Sequence, residues 1–212
     1  MDITVCFNYQ KTIEKIYSDA RWEAYYDTAI IPLFDICCFG KAVKIVPVHE
    51  TRKSGRKPLV TKKHFIETYS IEKEVVEKGE KKNRRFGIPD YVIVPLDSTY
   101  ENPKKSLLNI EFKLPDGLLT EYKAVQPKNY EVELLHQFEY CDNIILTDGV
   151  TWYFLEKGND INNVEPITLY DFDNREWKKV YNDRYSDIEI ELLKRITDMI
   201  EKVVDKYLNK RK

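Results

Sequence analysis

The chain has 212 residues, 42% of them hydrophobic and 33% charged, and a formal net charge of −2. This balance indicates a folded globular protein and excludes a disordered chain and a uniformly basic coat, so that only a local patch could contact nucleic acid. Neither CxxC nor HxxxH spacing occurs and no apolar run approaches about 18 residues, which predicts a cytoplasmic protein with reduced thiols, no zinc site and no membrane span.

The N-terminal part of the chain is predicted to hold a long helix, a strand and a basic loop. Residues 10–38 carry apolar side chains at steps of three and four, the spacing of a helix with one buried side. Pro32 is expected to interrupt this helix, because its nitrogen cannot donate to the preceding turn. Residues 41–49 (KAVKIVPVH) form a predicted strand. Residues 51–64 hold six basic residues and no acidic one, with a glycine and a proline, and predict a loop.

Two apolar runs in the middle of the chain predict neighbouring strands. They are YVIVPL (91–96) and LLNIEFKL (107–114), joined by a polar connection. Before them, residues 64–79 predict a strand that ends at Gly79, and KKNRR (81–85) predicts a second basic turn.

The remainder of the chain predicts a helix, a hairpin, a strand and a long final helix. Residues 129–141 (NYEVELLHQFEYC) have helical spacing, residues 143–158 form two apolar runs around Asp148-Gly149, and residues 166–172 read as a strand. The whole chain, 1–212, is predicted to be a single α/β domain with a core at about residues 10–180 and a mixed central sheet of four or five strands. The final helix, residues 186–210, is amphipathic, with a predicted buried stripe of Ile190, Leu193, Ile196, Ile200, Val203 and Tyr207.

Three charged residues lie where the two middle strands should be buried. Residues two apart in a strand share a face, so Glu111 and Lys113 point to one side and Phe112 to the other. Asp90, at the head of the neighbouring strand, can join them. Two carboxylates and one ammonium in a low-dielectric interior are costly without a further ligand, and carboxylate oxygens suit Mg²⁺. The pattern therefore predicts a Mg²⁺ site at Asp90 and Glu111, with Lys113 placed to orient or deprotonate an attacking water.

These residues match the signature of the PD-(D/E)XK nuclease superfamily, which the chain resembles over roughly residues 20–156. Pro89-Asp90 and Glu111-Phe112-Lys113 correspond to the signature itself. RWEAYYDTAIIPLF, the Gln137 of LLHQFEYC and the hairpin segment ILTDGVTWYF are similar to parts of the N-terminal nuclease domain of type I restriction enzyme motor subunits. The chain departs from that pattern in three ways: Tyr140 lies three rather than four residues after the glutamine, LTDG replaces LTNG, and there is no helicase segment. A stand-alone domain is therefore expected.

The resemblance implies a restriction-endonuclease-like three-layer α/β fold, with a central mixed β-sheet flanked by helices. It also implies a Mg²⁺-dependent deoxyribonuclease of restriction or phage defence, with Mn²⁺ as a substitute for Mg²⁺. The implied metal ligands are Asp90, Glu111 and the backbone carbonyl of Phe112. Lys113 would serve the attacking water. Gln137 would touch the scissile phosphate or position Lys113, and Glu23 would orient a ligand or water.

Two basic segments that precede Asp90 predict contacts with phosphates, although the same residues could form ordinary solvated loops. DNA is the expected partner, and a helicase or methyltransferase subunit on another chain and a homodimer remain open. Two other functions also remain open: a non-catalytic member that binds DNA or a protein, and an RNA-cleaving nuclease. The predicted nucleic-acid contacts are Arg52, Lys53, Arg56, Lys57, Arg84 and Arg85.

Overall fold

The centre of the molecule is a mixed β-sheet, seen in a computed structural model that describes residues 8–19, 23–48, 66–114, 124–178 and 186–210. In chain order, the strands are β1 (Val43–Pro47), β2 (Ile71–Glu77), β3 (Glu80–Phe86), β4 (Tyr91–Pro95), β5 (Leu108–Phe112), β6 (Asn143–Thr147), β7 (Thr151–Glu156), β8 (Ile167–Thr168), β9 (Tyr170–Asp171) and β10 (Glu176–Trp177). The helices are α1 (Tyr9–Asp19), α2 (Glu23–Cys38), α3 (Glu131–Phe138) and α4 (Asp187–Asn209). The predicted α/β class is confirmed.

Six of the described strands form the central sheet, in the order β1-β4-β5-β6-β7-β8. Neighbouring strands are antiparallel except β5 and β6, which run parallel. A parallel pair requires a crossover connection, and α3 lies in the segment that joins these two strands. The sheet is larger than the four or five strands expected. The predicted strand 166–172 is split in two, with β8 at the sheet edge and β9 paired separately with β10.

Different helices cover the two faces of the sheet. On one face, α1, α2 and α4 pack on strand residues such as Ile93 and Trp152 to form the main core. On the other face, α3 packs on β6 and β7. Alternate residues of a strand point to opposite faces, so Ile110 and Phe112 of β5 belong to the main core while Asn109 and Glu111 face α3. This three-layer arrangement places two polar residues of a central strand beneath a helix.

Helix α2 runs through Pro32, so the interruption expected at this residue is wrong. Instead, α1 ends at Asp19 and α2 begins at Glu23. Proline inside a helix removes a backbone hydrogen bond and costs about 3 kcal/mol or more. Burial of the neighbouring apolar side chains in the main core offsets this cost, and sequence periodicity cannot weigh that burial. These side chains are Ala29, Ile30, Leu33 and Phe34.

The basic segment 81–85 belongs to strand β3, so the turn predicted there is wrong. The turn is formed by Lys78 and Gly79, whose φ values of 51° and 81° are typical of a two-residue type I′ hairpin loop. Acidic residues of β2 balance the charge of β3. Glu72 lies opposite Arg85 in the register, and Glu74 forms an ion pair with Lys81 at 2.9 Å. Cross-strand pairs of opposite charge allow a strand that its own composition does not predict.

The hairpin predicted at Asp148-Gly149 is confirmed and joins β6 to β7. Oδ1 of Asp148 accepts the backbone N–H groups of Val150 and Thr151 at 2.9 and 2.7 Å. Trp152, the next residue along β7, is completely buried in the main core. Asp148 therefore fixes the turn and Trp152 fills the core.

The predicted C-terminal helix is confirmed as α4, although the predicted buried stripe is wrong at its start. Ile190 is 54% exposed, because the buried face is centred on Leu192 and Ile196 and residue 190 lies about 200° around the helix from Leu192. Ser186 caps the helix by accepting the N–H of Glu189 at 3.2 Å. Within the described ranges, no helix combines the length and the apolar character needed to cross a membrane.

Candidate active site

Glu111 lies at the centre of a buried polar network between β5 and α3. The residue is only 2% exposed, and both of its carboxylate oxygens accept hydrogen bonds. Nζ of Lys113 donates to Oε1 at 2.5 Å, and Nε2 of Gln137 donates to Oε2 at 2.6 Å. One donor comes from the same face of β5 and the other from the helix above it. The carboxylate is therefore fixed from two sides.

The network continues from Gln137 back to the strand. Nδ2 of Asn109 donates to Oε1 of Gln137 at 3.0 Å and to the hydroxyl of Tyr140 at 2.9 Å. The Tyr140 hydroxyl donates to the carbonyl of Gly87 at 2.6 Å. Asn109 and Glu111 are two residues apart in β5 and therefore share one face of the strand. Gln137 and Tyr140 are three residues apart, in and just after α3, and both point toward that face. Tyr140 thus joins the network at the position where the sequence departs from the restriction-subunit pattern.

Lys113 lies at the end of β5 between two carboxylates. Besides Glu111, its Nζ contacts Oε2 of Glu133 at 2.7 Å. The same Nζ lies 4.7 Å from the ring centroid of Tyr130. Burial alone would lower the pKa of Lys113, but the charge of Glu111 and the hydrogen bonds to both carboxylates raise this pKa overall. Lys113 is therefore a cation at neutral pH. It is well placed to stabilise negative charge.

Asp90 immediately precedes β4 and faces Glu111. Tyr91 pairs with Ile110, so the next pair along these antiparallel strands is Asp90 and Glu111, with both side chains on the face covered by α3. Oδ2 of Asp90 accepts the backbone N–H of Phe112 at 2.8 Å. Burial raises the pKa of Glu111 and the charge of Asp90 raises it further, while Lys113 opposes this shift without outweighing it. The two carboxylates therefore repel each other.

This donor set suits a hard divalent cation. Asp90 and Glu111 offer carboxylate oxygens, the ligands that Mg²⁺ prefers, and a cation beside them would relieve their repulsion. In the part of the chain that the structure describes, no group of three or more His, Cys, Asp or Glu side chains is arranged to hold a metal ion. The remaining ligands would have to be water and backbone carbonyls, such as the predicted carbonyl of Phe112. Mg²⁺ commonly keeps several waters, so two carboxylates are sufficient.

Gly87 sets the distance between the segment that leads to Asp90 and helix α3. Its φ is +66°, a left-handed conformation that favours glycine. A Cβ atom at this position would lie 3.0 Å from the backbone nitrogen of Gln137 and 3.0 Å from His136. The backbone of this segment therefore touches the helix directly.

The predicted phosphate contacts lie only in part within the described structure. Arg84 and Arg85 do, and each forms an ion pair of 2.5 Å, with Glu77 and Glu67 respectively. Arg85 also lines a groove of about 480 Å³ that runs beside the amino-terminal end of α3. Other residues of this groove are Phe86, Lys128, Tyr130, Glu133 and His136. The remaining predicted contacts, Arg52, Lys53, Arg56 and Lys57, lie outside the described residues.

The structure thus brings together four of the five predicted catalytic residues: Asp90, Glu111, Lys113 and Gln137. The fifth, Glu23, is the first residue of α2, and its side chain lies outside the part of the chain described. The sequence analysis missed Glu133, Asn109 and the role of Tyr140. Spacing places two of them on the correct face but does not show what they contact. Glu133 is one helical turn before Gln137, and Asn109 is two residues before Glu111.

Comparison with known proteins gives no family assignment. No protein-family model and no curated protein matches the chain. Among solved structures, the chain is similar to one described as a cryo-EM structure of the DrdV–DNA complex, with a TM-score of 0.41 and 16% sequence identity. The similarity covers 76% of this chain and 12% of the other. Similarity this low carries no functional weight, so what the site can do follows from its own residues.

Proposed function

We propose that this protein is a nuclease that hydrolyses DNA phosphodiester bonds with Mg²⁺, for which Mn²⁺ can substitute, in restriction or phage defence. The observation that carries the proposal is the buried Glu111. It faces a second carboxylate, Asp90, on one side and the ammonium of Lys113 on the other. Two carboxylates and an ammonium are not needed to stabilise a protein core. A buried ion network is costly to form, and apolar side chains of similar volume in its place are often more stabilising.

Each residue has a distinct role in the proposed reaction. Asp90 and Glu111, with the carbonyl of Phe112, would hold Mg²⁺, which when bound offsets negative charge on the phosphate. Gln137 keeps the Glu111 carboxylate in its orientation. Lys113 orients the attacking water and donates hydrogen bonds to phosphate oxygens as negative charge increases there. The oxygen of the water bonds to phosphorus as the water loses a proton to solvent. The bond from phosphorus to one of the two sugar oxygens breaks, its electron pair leaves with that oxygen, and the oxygen takes up a proton from solvent.

The proposal is tested with the purified full chain, supercoiled and linear DNA, and either Mg²⁺ or excess EDTA. Asp90→Asn and Glu111→Gln are near-isosteric and should each lower cleavage by about 10²-fold or more. Glu131→Gln changes an exposed glutamate of α3 and is the matched control. Cleavage that persists in EDTA, or at the wild-type rate in Glu111→Gln, would overturn the metal mechanism. A parallel series on RNA decides which nucleic acid is the substrate.

A second candidate function is non-catalytic binding of DNA through the same fold. The observation that favours it is that both oxygens of Glu111 already accept hydrogen bonds from the protein, so the network is satisfied without a cation. Calorimetric titration with Mg²⁺ separates the two candidates. A nuclease should bind Mg²⁺, and Glu111→Gln should weaken this binding. A non-catalytic binder should show DNA affinity that does not depend on Mg²⁺ and no cleavage of any substrate.

A further inference from the structure

Glu133 holds the ammonium of Lys113 from the helix side of the site. Its Oε2 lies 2.7 Å from Nζ of Lys113, and Glu111 lies on the other side of the same Nζ at 2.5 Å. We propose that Glu133 is the positioning residue for Lys113, and that it keeps this lysine in place when Glu111 is engaged by a divalent cation. This inference rests on the proposed nuclease function.

The surroundings of Lys113 distinguish this ion pair from the surface pairs of the molecule. The side chains of Lys202 and Lys206, which pair with Glu156 and Asp142, are 57% and 53% exposed. Such exposed pairs contribute little to stability and do not hold their side chains in one position. The Lys113 side chain is only 18% exposed, and its ammonium rests near the ring of Tyr130. In this sheltered position, charge-assisted hydrogen bonds to two carboxylates restrict Nζ to one place.

Lys113 needs a second carboxylate because Glu111 would interact with both the divalent cation and the ammonium. In the proposed function, Glu111 binds a cation, and a cation near Glu111 repels the ammonium of Lys113. Lys113 therefore needs a counter-charge that is not itself a metal ligand. Glu133 can supply this counter-charge, since its Oε2 already contacts Nζ of Lys113 at 2.7 Å from the side opposite Glu111.

The position of Glu133 in the helix supports the assignment. It lies in the first turn of α3, where the helix dipole favours a negative charge. It is also one turn before Gln137, so both residues face β5. Gln137 contacts Glu111 of that strand, and Glu133 contacts Lys113, the residue that follows it. One helix thus orients both parts of the proposed site: Gln137 holds Glu111, and Glu133 holds Lys113. Glu131 occupies the same first turn with the same charge but is exposed, which makes it a matched control.

The first test measures the NMR signal of the Lys113 ammonium and needs no nuclease activity. In ¹⁵N-labelled full-length protein, the side-chain ammonium signal of Lys113 is assigned by its absence in Lys113→Met. We expect Glu133→Gln to shift this signal or to broaden it beyond detection, because an amide does not hold the ammonium as a carboxylate does. Glu133→Asp should retain part of the effect, and Glu131→Gln should leave the signal unchanged. An unchanged Lys113 signal in Glu133→Gln would overturn the inference.

The second test measures turnover on DNA in Mg²⁺. Glu133→Gln should lower kcat by about tenfold to a hundredfold while the KM for DNA stays within about twofold, because the lysine is misplaced but the binding surface is intact. Glu133→Asp should recover part of the loss. Wild-type kcat in Glu133→Gln would rule out positioning. If the wild-type protein cleaves nothing, the proposed function fails together with the catalytic purpose of Glu133, and the ammonium signal still decides whether Glu133 holds Lys113.

Discussion

Gln137 donates a hydrogen bond from its side-chain amide to Oε2 of Glu111 over 2.6 Å, and both side chains are almost completely buried. The donor belongs to the crossover helix α3 and the acceptor to β5. The orientation of the amide is fixed, because its oxygen accepts from Asn109 and its nitrogen must therefore face Glu111. The packing of a helix on a strand and the orientation of the candidate catalytic carboxylate thus depend on the same bond.

Replacing Gln137 with Met should destabilise the protein by about 1–3 kcal/mol, because Glu111 and Asn109 each lose a buried hydrogen-bond partner while the volume is nearly conserved. The measurement is the free energy of unfolding in urea. Leu135→Met, at a half-exposed position of the same helix, is the control and should stay within about 0.5 kcal/mol of the wild type. Equal stability of the two variants would show that the network contributes nothing to the fold.

Replacing Lys113 with Met should separate binding from cleavage. The aliphatic part of the lysine can be replaced by Met, so the affinity for DNA in Ca²⁺ should be retained, while the free energy of unfolding should fall because Glu111 and Glu133 lose a cationic partner. Turnover in Mg²⁺ should fall by about 10²-fold or more, because no ammonium remains near the attacking water. Wild-type turnover in this variant would show that the catalytic lysine has been assigned wrongly.

The role of Arg85 can be read from the dependence of DNA binding on salt. If Arg85 contacts a phosphate, Arg85→Gln should flatten the plot of log affinity against log salt by about 0.9 units. The control is Lys202→Gln on α4, a basic residue in a more exposed ion pair with Glu156, which should leave the slope unchanged. Identical slopes for Arg85→Gln and the wild type would assign Arg85 to its observed pair with Glu67 alone.

Glu189 should make the stability of the fold depend on pH. Its Oε1 accepts the backbone N–H of Tyr9 at 2.7 Å, whereas among the described residues its buried Oε2 has no partner. Burial raises the pKa of Glu189, and the backbone hydrogen bonds it accepts offset this only in part. The folded state therefore binds this proton more tightly than the unfolded state, whose glutamate pKa is about 4.3. The contribution of Glu189 to stability is full below that pH and is lost as pH rises through the raised pKa.

Glu189→Gln resembles the protonated carboxyl and should remove this dependence. Relative to the wild type, the variant should become progressively more stable as pH rises above the unfolded glutamate pKa of about 4.3 and through the raised pKa of Glu189. The measurement is urea unfolding of both proteins at several pH values in that range. A stability difference that does not change with pH, or that falls as pH rises, would contradict the raised pKa.

The strands and the charged cluster could be predicted from the sequence because their signals are local. Apolar runs predict β4 and β5, and the two-residue period places Glu111 and Lys113 on one face. Strand β3 could not be predicted in the same way. Its charged residues are balanced by β2, and the conformation of Lys78 and Gly79 that joins the two strands depends on the pairing itself.

Glu133 illustrates the limit of motif reasoning. It belongs to no signature, and in a chain with 36 acidic residues a helical glutamate carries no signal of its own. Only the packing of α3 on β5 shows that it reaches Lys113. The same holds for Asn109, whose importance depends on a partner 28 residues away in the sequence. Contacts between distant segments decide these roles, and no local pattern encodes them.

Gly87 acts as the spacer of the candidate site, although it has no side chain to contribute. Its backbone touches the helix that carries Gln137, and even a methyl group at this position would act as a wedge between the helix and the segment before Asp90. Every chemical group of the network would then still be present, but the clearance between them would be wrong. The separation between these groups therefore depends on a residue that contributes only its backbone to the network.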